Sequence, residues 1–166
     1  MHLQSPVALH TYNKAHAKRF HPKDSSGTTM RVCGFVISAS EIRIVSLEGS
    51  RNAHERIAAG FHKLVVGDTG TSAGMRAVTT ALNAHIRDGG IERVGLISYT
   101  SGGKFPPSAA VFRVEGALLS TAEAEFRFVP KKTLEATYRR SSELMAARPS
   151  TTALALAYDL AFECLD

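Results

Sequence analysis

A mixed α/β domain, with a five-stranded sheet and flanking helices in the order β-β-β-α-β-α-β-α-α, is what the chain predicts. Three observations carry it. "MRVCGFVIS" (30–38) and "IERVGLISY" (91–99) are almost continuously apolar, as strands buried on both faces require. Between and after them lie segments whose apolar residues recur at helical spacing. Glycine or proline punctuates most of the junctions. At 166 residues with 44% hydrophobic content the chain can bury a core without a metal or disulfide staple.

Each element has a local reason. The first strand turns at Ser38–Ser40 into "EIRIVSLEG", where polar Glu41 and Arg43 alternate with apolar Ile42 and Ile44, so the two form a hairpin. A third strand covers "FHKLVV" and ends at the Gly67–Gly70 loop. "SAGMRAVTTALNAHIRD" then places Met75, Val78, Ala81, Leu82 and Ile86 on one helical face, with Thr69, Thr71 or Ser72 to cap its start and Gly89–Gly90 to stop it. The fourth strand, "IERVGLISY", leads through a glycine-rich loop to a helix from about Ser108 to Leu119. A strand "AEFRFV" is closed by Pro130, and a short helix "KKTLEATYRR" follows. The last segment, "STTALALAYDLAFECL", alternates with period two as well, but its interleaved alanines favour helix. On that helix Asp159, Glu163 and Asp166 share a side, which is expected to face water or a partner.

The first 29 residues show no sustained periodicity and end in a Ser/Gly/Thr-rich stretch, which predicts a flexible extension (1–29) ahead of a single domain (30–166). Lys14, Lys18, Arg19 and Lys23 against Asp24 give that extension +3 of the total net charge of +5, so the domain itself is only mildly basic. No apolar run approaches the ~20 residues of a membrane span, and the charged start precedes no secretory h-region, so a cytoplasmic protein with no membrane partner is expected. Cys33 and Cys164 read as buried free thiols of a reducing compartment.

The element order, with "MRVCGFVIS" opening a hairpin and "GGKFPPSAAVFRVEGALL" following the fourth strand, resembles the RNase H-like fold, in particular its RuvC-type branch. It is more similar still to a small uncharacterised bacterial family of RNase H-like proteins whose fourth strand also runs into a basic glycine loop and a glutamate-bearing helix. In the nucleases of this fold, the resemblance implies, carboxylates from the first strand, the fourth-strand tip and the last helix hold two divalent metals. This chain departs from that pattern. Phe35 to Ser38 are uncharged, with Val36 near the expected acid; the fourth-strand tip reads Ser98, Tyr99, Thr100; the last helix starts Ser150, Thr151, Thr152. Hydroxyls are poor ligands for a hard dication.

The remaining candidates follow. In "YTSGGKFPPS", Ser101, Gly102 and Gly103 let backbone N–H groups approach an anion, Lys104 supplies charge, and Ser108 caps the next helix; an ordinary turn with an N-cap explains the same residues. Arg127, Lys131, Lys132, Arg139 and Arg140 bracket the helix after Pro130 as a basic patch, or as a solvated helix face interrupted by Glu135. "VVGDTGTSAGM" lacks the endings of a phosphate or dinucleotide loop, and the histidines form no zinc frame. The expected function is therefore a catalytically degenerate RNase H-like domain that binds nucleic acid or a protein partner, with no cofactor. The alternatives are a nuclease that recruits Mg2+ through Glu41, Glu115 and Asp159, and a purely protein-binding subunit.

Overall fold

The structure is a computed structural model that describes residues 29–58, 61–99 and 106–166. Six strands form one sheet: β1 (Met30–Ile37), β2 (Glu41–Ser50), β3 (Ala53–Ile57), β4 (Lys63–Val65), β5 (Arg93–Ser98) and β6 (Glu125–Pro130), in the order β3-β2-β1-β5-β6 with β4 also on β2. The β1–β2 hairpin pairs Met30 with Gly49 and Ile37 with Ile42, and the Ser38 hydroxyl closes its turn by donating to the Glu41 carbonyl at 2.7 Å. Arg31 protrudes, while Val32 to Phe35 vanish into the core. Strands β1, β5 and β6 run parallel, so their carboxyl ends share one edge of the sheet.

The third sheet position is split. "FHKLVV" supplies β4, paired with Glu41–Arg43, while β3 pairs with Ser46–Ser50. "AHERI" has no apolar alternation to announce it, because an edge strand held by ladder hydrogen bonds needs little burial.

Among the described residues four α-helices cover the two faces: α1 (Ser72–Gly89), α2 (Ala109–Thr121), α3 (Lys131–Ser141) and α4 (Thr152–Cys164). Thr71 caps α1 by accepting from the Gly74 N–H, and Gly90 ends it in the left-handed region at φ 61°. Cys33, Phe35, Ile37, Val94 and Leu96 face α1 and α2, whose Val78, Leu82, Ile86, Val111, Val114 and Leu118 meet them. The alternate residues of the strands face α3 and α4. Helix α4 is buried nearly all round from Ala155 to Cys164, which settles helix over strand for the last segment. It approaches so closely that a Cβ at Gly34 would sit 2.0 Å from the Ala157 carbonyl oxygen, and one at Gly95 2.5 Å from that of Leu160. Both cysteines are free and buried, and burial pushes the Cys164 thiol up to about 12.

Candidate functional site

The carboxyl ends of β1, β5 and β6 are where the resemblance would place a metal centre. An apolar cluster fills that edge instead: Ile97, Val129, Leu134 and Leu160 are buried together, with Val36, Tyr99 and Leu156 packed against them. Ser150, Thr151 and Thr152 lie exposed at the start of α4. None of these side chains supplies a carboxylate, and the described residues hold no group of three or more His, Cys, Asp or Glu that could bind a metal. The residues at these positions do not fit a pair of divalent ions.

The carboxylates singled out in the sequence go elsewhere. Glu41 pairs with Arg43 at 2.7 Å and Lys63 at 3.1 Å, and hydrogen bonds from those two cations hold it below the usual carboxylate range. Glu115 is buried on the α2 face, where desolvation raises its carboxyl and its charge helps raise nearby Tyr99. Asp159 sits on the opposite face of the sheet, in α4.

The expectation that Asp159, Glu163 and Asp166 face water or a partner is overturned for the first two, each only 4% exposed, whereas Asp166 is exposed and pairs with Arg93. Asp159 and Glu163 are buried because an arginine from elsewhere neutralises each. Arg148, just before Pro149, donates from Nε and Nη2 to the two Asp159 oxygens at 2.6 and 2.7 Å, and its guanidinium lies 4.3 Å over the Tyr138 ring. Glu163 receives Arg51 at 3.0 Å and the Thr137 hydroxyl. Around it Arg51, Arg93 and Arg127 donate to the last carbonyls of α4, a cationic cap on the negative end of the helix dipole. Sequence reasoning missed Arg51, Arg93 and Arg148; no local pattern marks Arg51 or Arg93, whose partners lie 112 and 71 residues away, or joins Arg148 to Asp159 across the start of α4.

The structure divides the predicted basic patch. Lys131 and Lys132, exposed, follow directly on Pro130 and so stand at the carboxyl edge of the sheet. Arg139 and Arg140, also exposed, are about 12 Å further along α3 at 1.5 Å per residue. Arg127 lies opposite Gly95, back from that edge, and its guanidinium is occupied at Glu163. Ser101, Gly102, Gly103 and Lys104, in the segment after Tyr99, lie outside the described residues. Ser108 takes the N-cap position of α2 but makes no side-chain cap bond; its carbonyl accepts from Val111. Two of the histidines serve packing: His85 meets the Ser46 hydroxyl at 3.3 Å, and His54 the Tyr158 hydroxyl at 2.5 Å.

With sheet order, helix placement and this edge defined, the comparisons with known proteins fall into place. A family model described as Protein of unknown function (DUF3010) matches residues 30–163. The chain belongs to the DUF3010 family. No curated protein matches it. Two solved structures of RuvC share the architecture. RuvC of T. thermophilus in complex with Holliday junction substrate is 15% identical, with 80% of this chain and 90% of that one covered and a TM-score of 0.59. A second Thermus thermophilus RuvC structure is 16% identical, covering 80% and 92%, with a TM-score of 0.54. At such identities the likeness is one of fold, and this DUF3010 member has an RNase H-like fold. Among the described residues no helix is long and apolar enough to cross a membrane.

Proposed function

We propose that this domain binds nucleic acid at the carboxyl edge of its parallel strands and does not cleave it. One observation supports the reading above the others: the edge that carries carboxylates in the resembling nucleases is here apolar at Val36, Tyr99 and Leu156, and lysines 131 and 132 rim it. The α4 acid within reach of that edge, Asp159, is already spent on Arg148. The outward-facing charges there are Lys131 and Lys132, with Glu135 one turn further along α3. We propose that Lys104, five residues beyond Tyr99 in the sequence and preceded by Gly102 and Gly103, adds a further phosphate contact. Arg139 and Arg140 extend the contact along α3. A cytoplasmic setting agrees with the two free thiols.

A labelled four-way DNA junction is the natural probe, since one structural relative is in complex with a Holliday junction substrate. Binding is expected to weaken linearly in log–log against salt, and Lys131→Ala with Lys132→Ala lowers the slope by about two. Lys104→Ala lowers it by about one more. Affinity that ignores both salt and these substitutions would exclude the polyanion surface and leave a protein partner as the reading.

A further inference from the structure

A cavity of about 340 Å³ lies between α3 and the first half of α4, beside the carboxyl edge of the sheet. Its floor is Leu134, Ala155 and Leu156; Leu134 and Leu156 also belong to the apolar cluster beneath, so the cavity is closed on the core side. Its wall holds Arg148 with its partner Asp159, and Tyr138; Lys131, Glu135, Ser150 and Thr152 also line it.

Arg148 is fixed in an unusual way for a residue of a connecting segment. Asp159 takes Nε and Nη2, the Tyr138 ring takes one guanidinium face, and Nη1 has no partner among the described residues. A guanidinium so held offers its remaining N–H groups at almost no further entropic cost. Lys131 supplies a second charge that no ion pair among the described residues occupies, although Glu135 lines the cavity one turn further along α3, and the Ser150 and Thr152 hydroxyls can donate as well. The first turn of α4 adds to this, with no acidic residue and no side-chain cap from Thr151 to occupy its N–H groups. The other half of the cavity is apolar, suited to a flat ring rather than to more charge.

We infer that this cavity binds a terminal nucleotide through its phosphomonoester, with the base on the Leu134–Leu156 floor beside Tyr138. The core closes the cavity beneath, so a base that enters ends on this floor. The volume lies at the small end of ligand sites, as a single nucleotide requires. The inference rests on the nucleic-acid reading above and names the part of the nucleic acid this corner takes. Free nucleotides carry the same chemistry as a strand end, and the test separates the two sources.

Three single-stranded oligonucleotides of one sequence, bearing a 5′-phosphate, a 3′-phosphate or neither, are titrated in parallel with adenosine monophosphate while the amides of residues 150–156 are followed by NMR. One phosphorylated end is expected to bind at least tenfold more tightly than the unphosphorylated strand. Thr152→Asp places a carboxylate in the lining and, at a helix start, does not weaken the fold. It is expected to abolish the tenfold preference with thermal stability kept and the unphosphorylated strand bound as before. Lys131→Glu removes the preference too, and also weakens the unphosphorylated strand, because Lys131 belongs to the general surface. Equal affinity for all three strands, with the amides of 150–156 unmoved, overturns the inference while leaving the surface reading intact. Adenosine monophosphate moving those amides while no strand binds would keep the cavity as a free-nucleotide site and sink the nucleic-acid reading.

Discussion

Arg148→Ala gives the sharpest test of how α4 is held. Asp159 is 4% exposed and its only cation among the described residues is Arg148, at 2.6 and 2.7 Å. Deleting the guanidinium strands a buried carboxylate, a change that costs about 3–5 kcal/mol when water cannot reach the site. Here the Arg148 side chain is 26% exposed, so water partly replaces it, and the lower figure of about 3 kcal/mol applies. For a domain of this size that is a fall of roughly 10 °C in Tm. Asp159→Leu in the same chain removes the stranded charge next to an apolar floor, and the double variant should recover most of the loss. Urea denaturation of wild type, both single variants and the double closes the cycle, provided m is unchanged. A coupling energy below about 0.5 kcal/mol, or Arg148→Ala as stable as wild type, would refute the view that this pair anchors the start of α4.

Three further outcomes follow from particular contacts. Gly95→Val should prevent α4 from docking, since its Cβ alone would meet the Leu160 carbonyl at 2.5 Å; a cooperative melt near that of wild type would contradict it. Burial raises the Glu115 carboxyl, so its contribution is favourable below the unfolded value and is lost as pH rises through the folded one; Glu115→Gln should therefore gain stability on wild type at pH 7 and little at pH 4, and a gain confined to acid pH would reverse the sign argued here. Removing residues 1–29 should leave a cooperatively melting domain with a shallower salt dependence of binding, whereas loss of folding, or an unchanged salt slope, would show that the extension does something else.

Much of the architecture is readable because it rests on local signals. Thr71 and Gly90 bound α1 by hydrogen bonds reaching no more than four residues, and the apolar runs of β1 and β5 report burial on both faces. The strand β3 escapes because its stability is in the ladder to β2, not in its side chains. Asp159 and Glu163 mislead for the opposite reason: their i, i+4 spacing is that of a solvated stripe, and only the arrival of Arg148 and Arg51 turns it inward. Gly34 and Gly95 did carry a signal, since a glycine inside an apolar strand marks the close approach of another backbone. The site is legible mainly as an absence of acids at Val36, Ser98 and Ser150; the cavity beside α3 is a product of tertiary packing and leaves no trace in spacing.

Binding without cleavage is tested most directly by incubating the protein with a labelled four-way junction in Mg2+ or Mn2+ and running the same samples on native and denaturing gels. The account predicts a retarded complex that weakens with salt and a strand that stays intact over hours. Metal-dependent cleavage that vanishes in Glu115→Gln, Glu41→Gln or Asp159→Asn would contradict it, because carboxylates now assigned to packing and ion pairs would then be holding the metal.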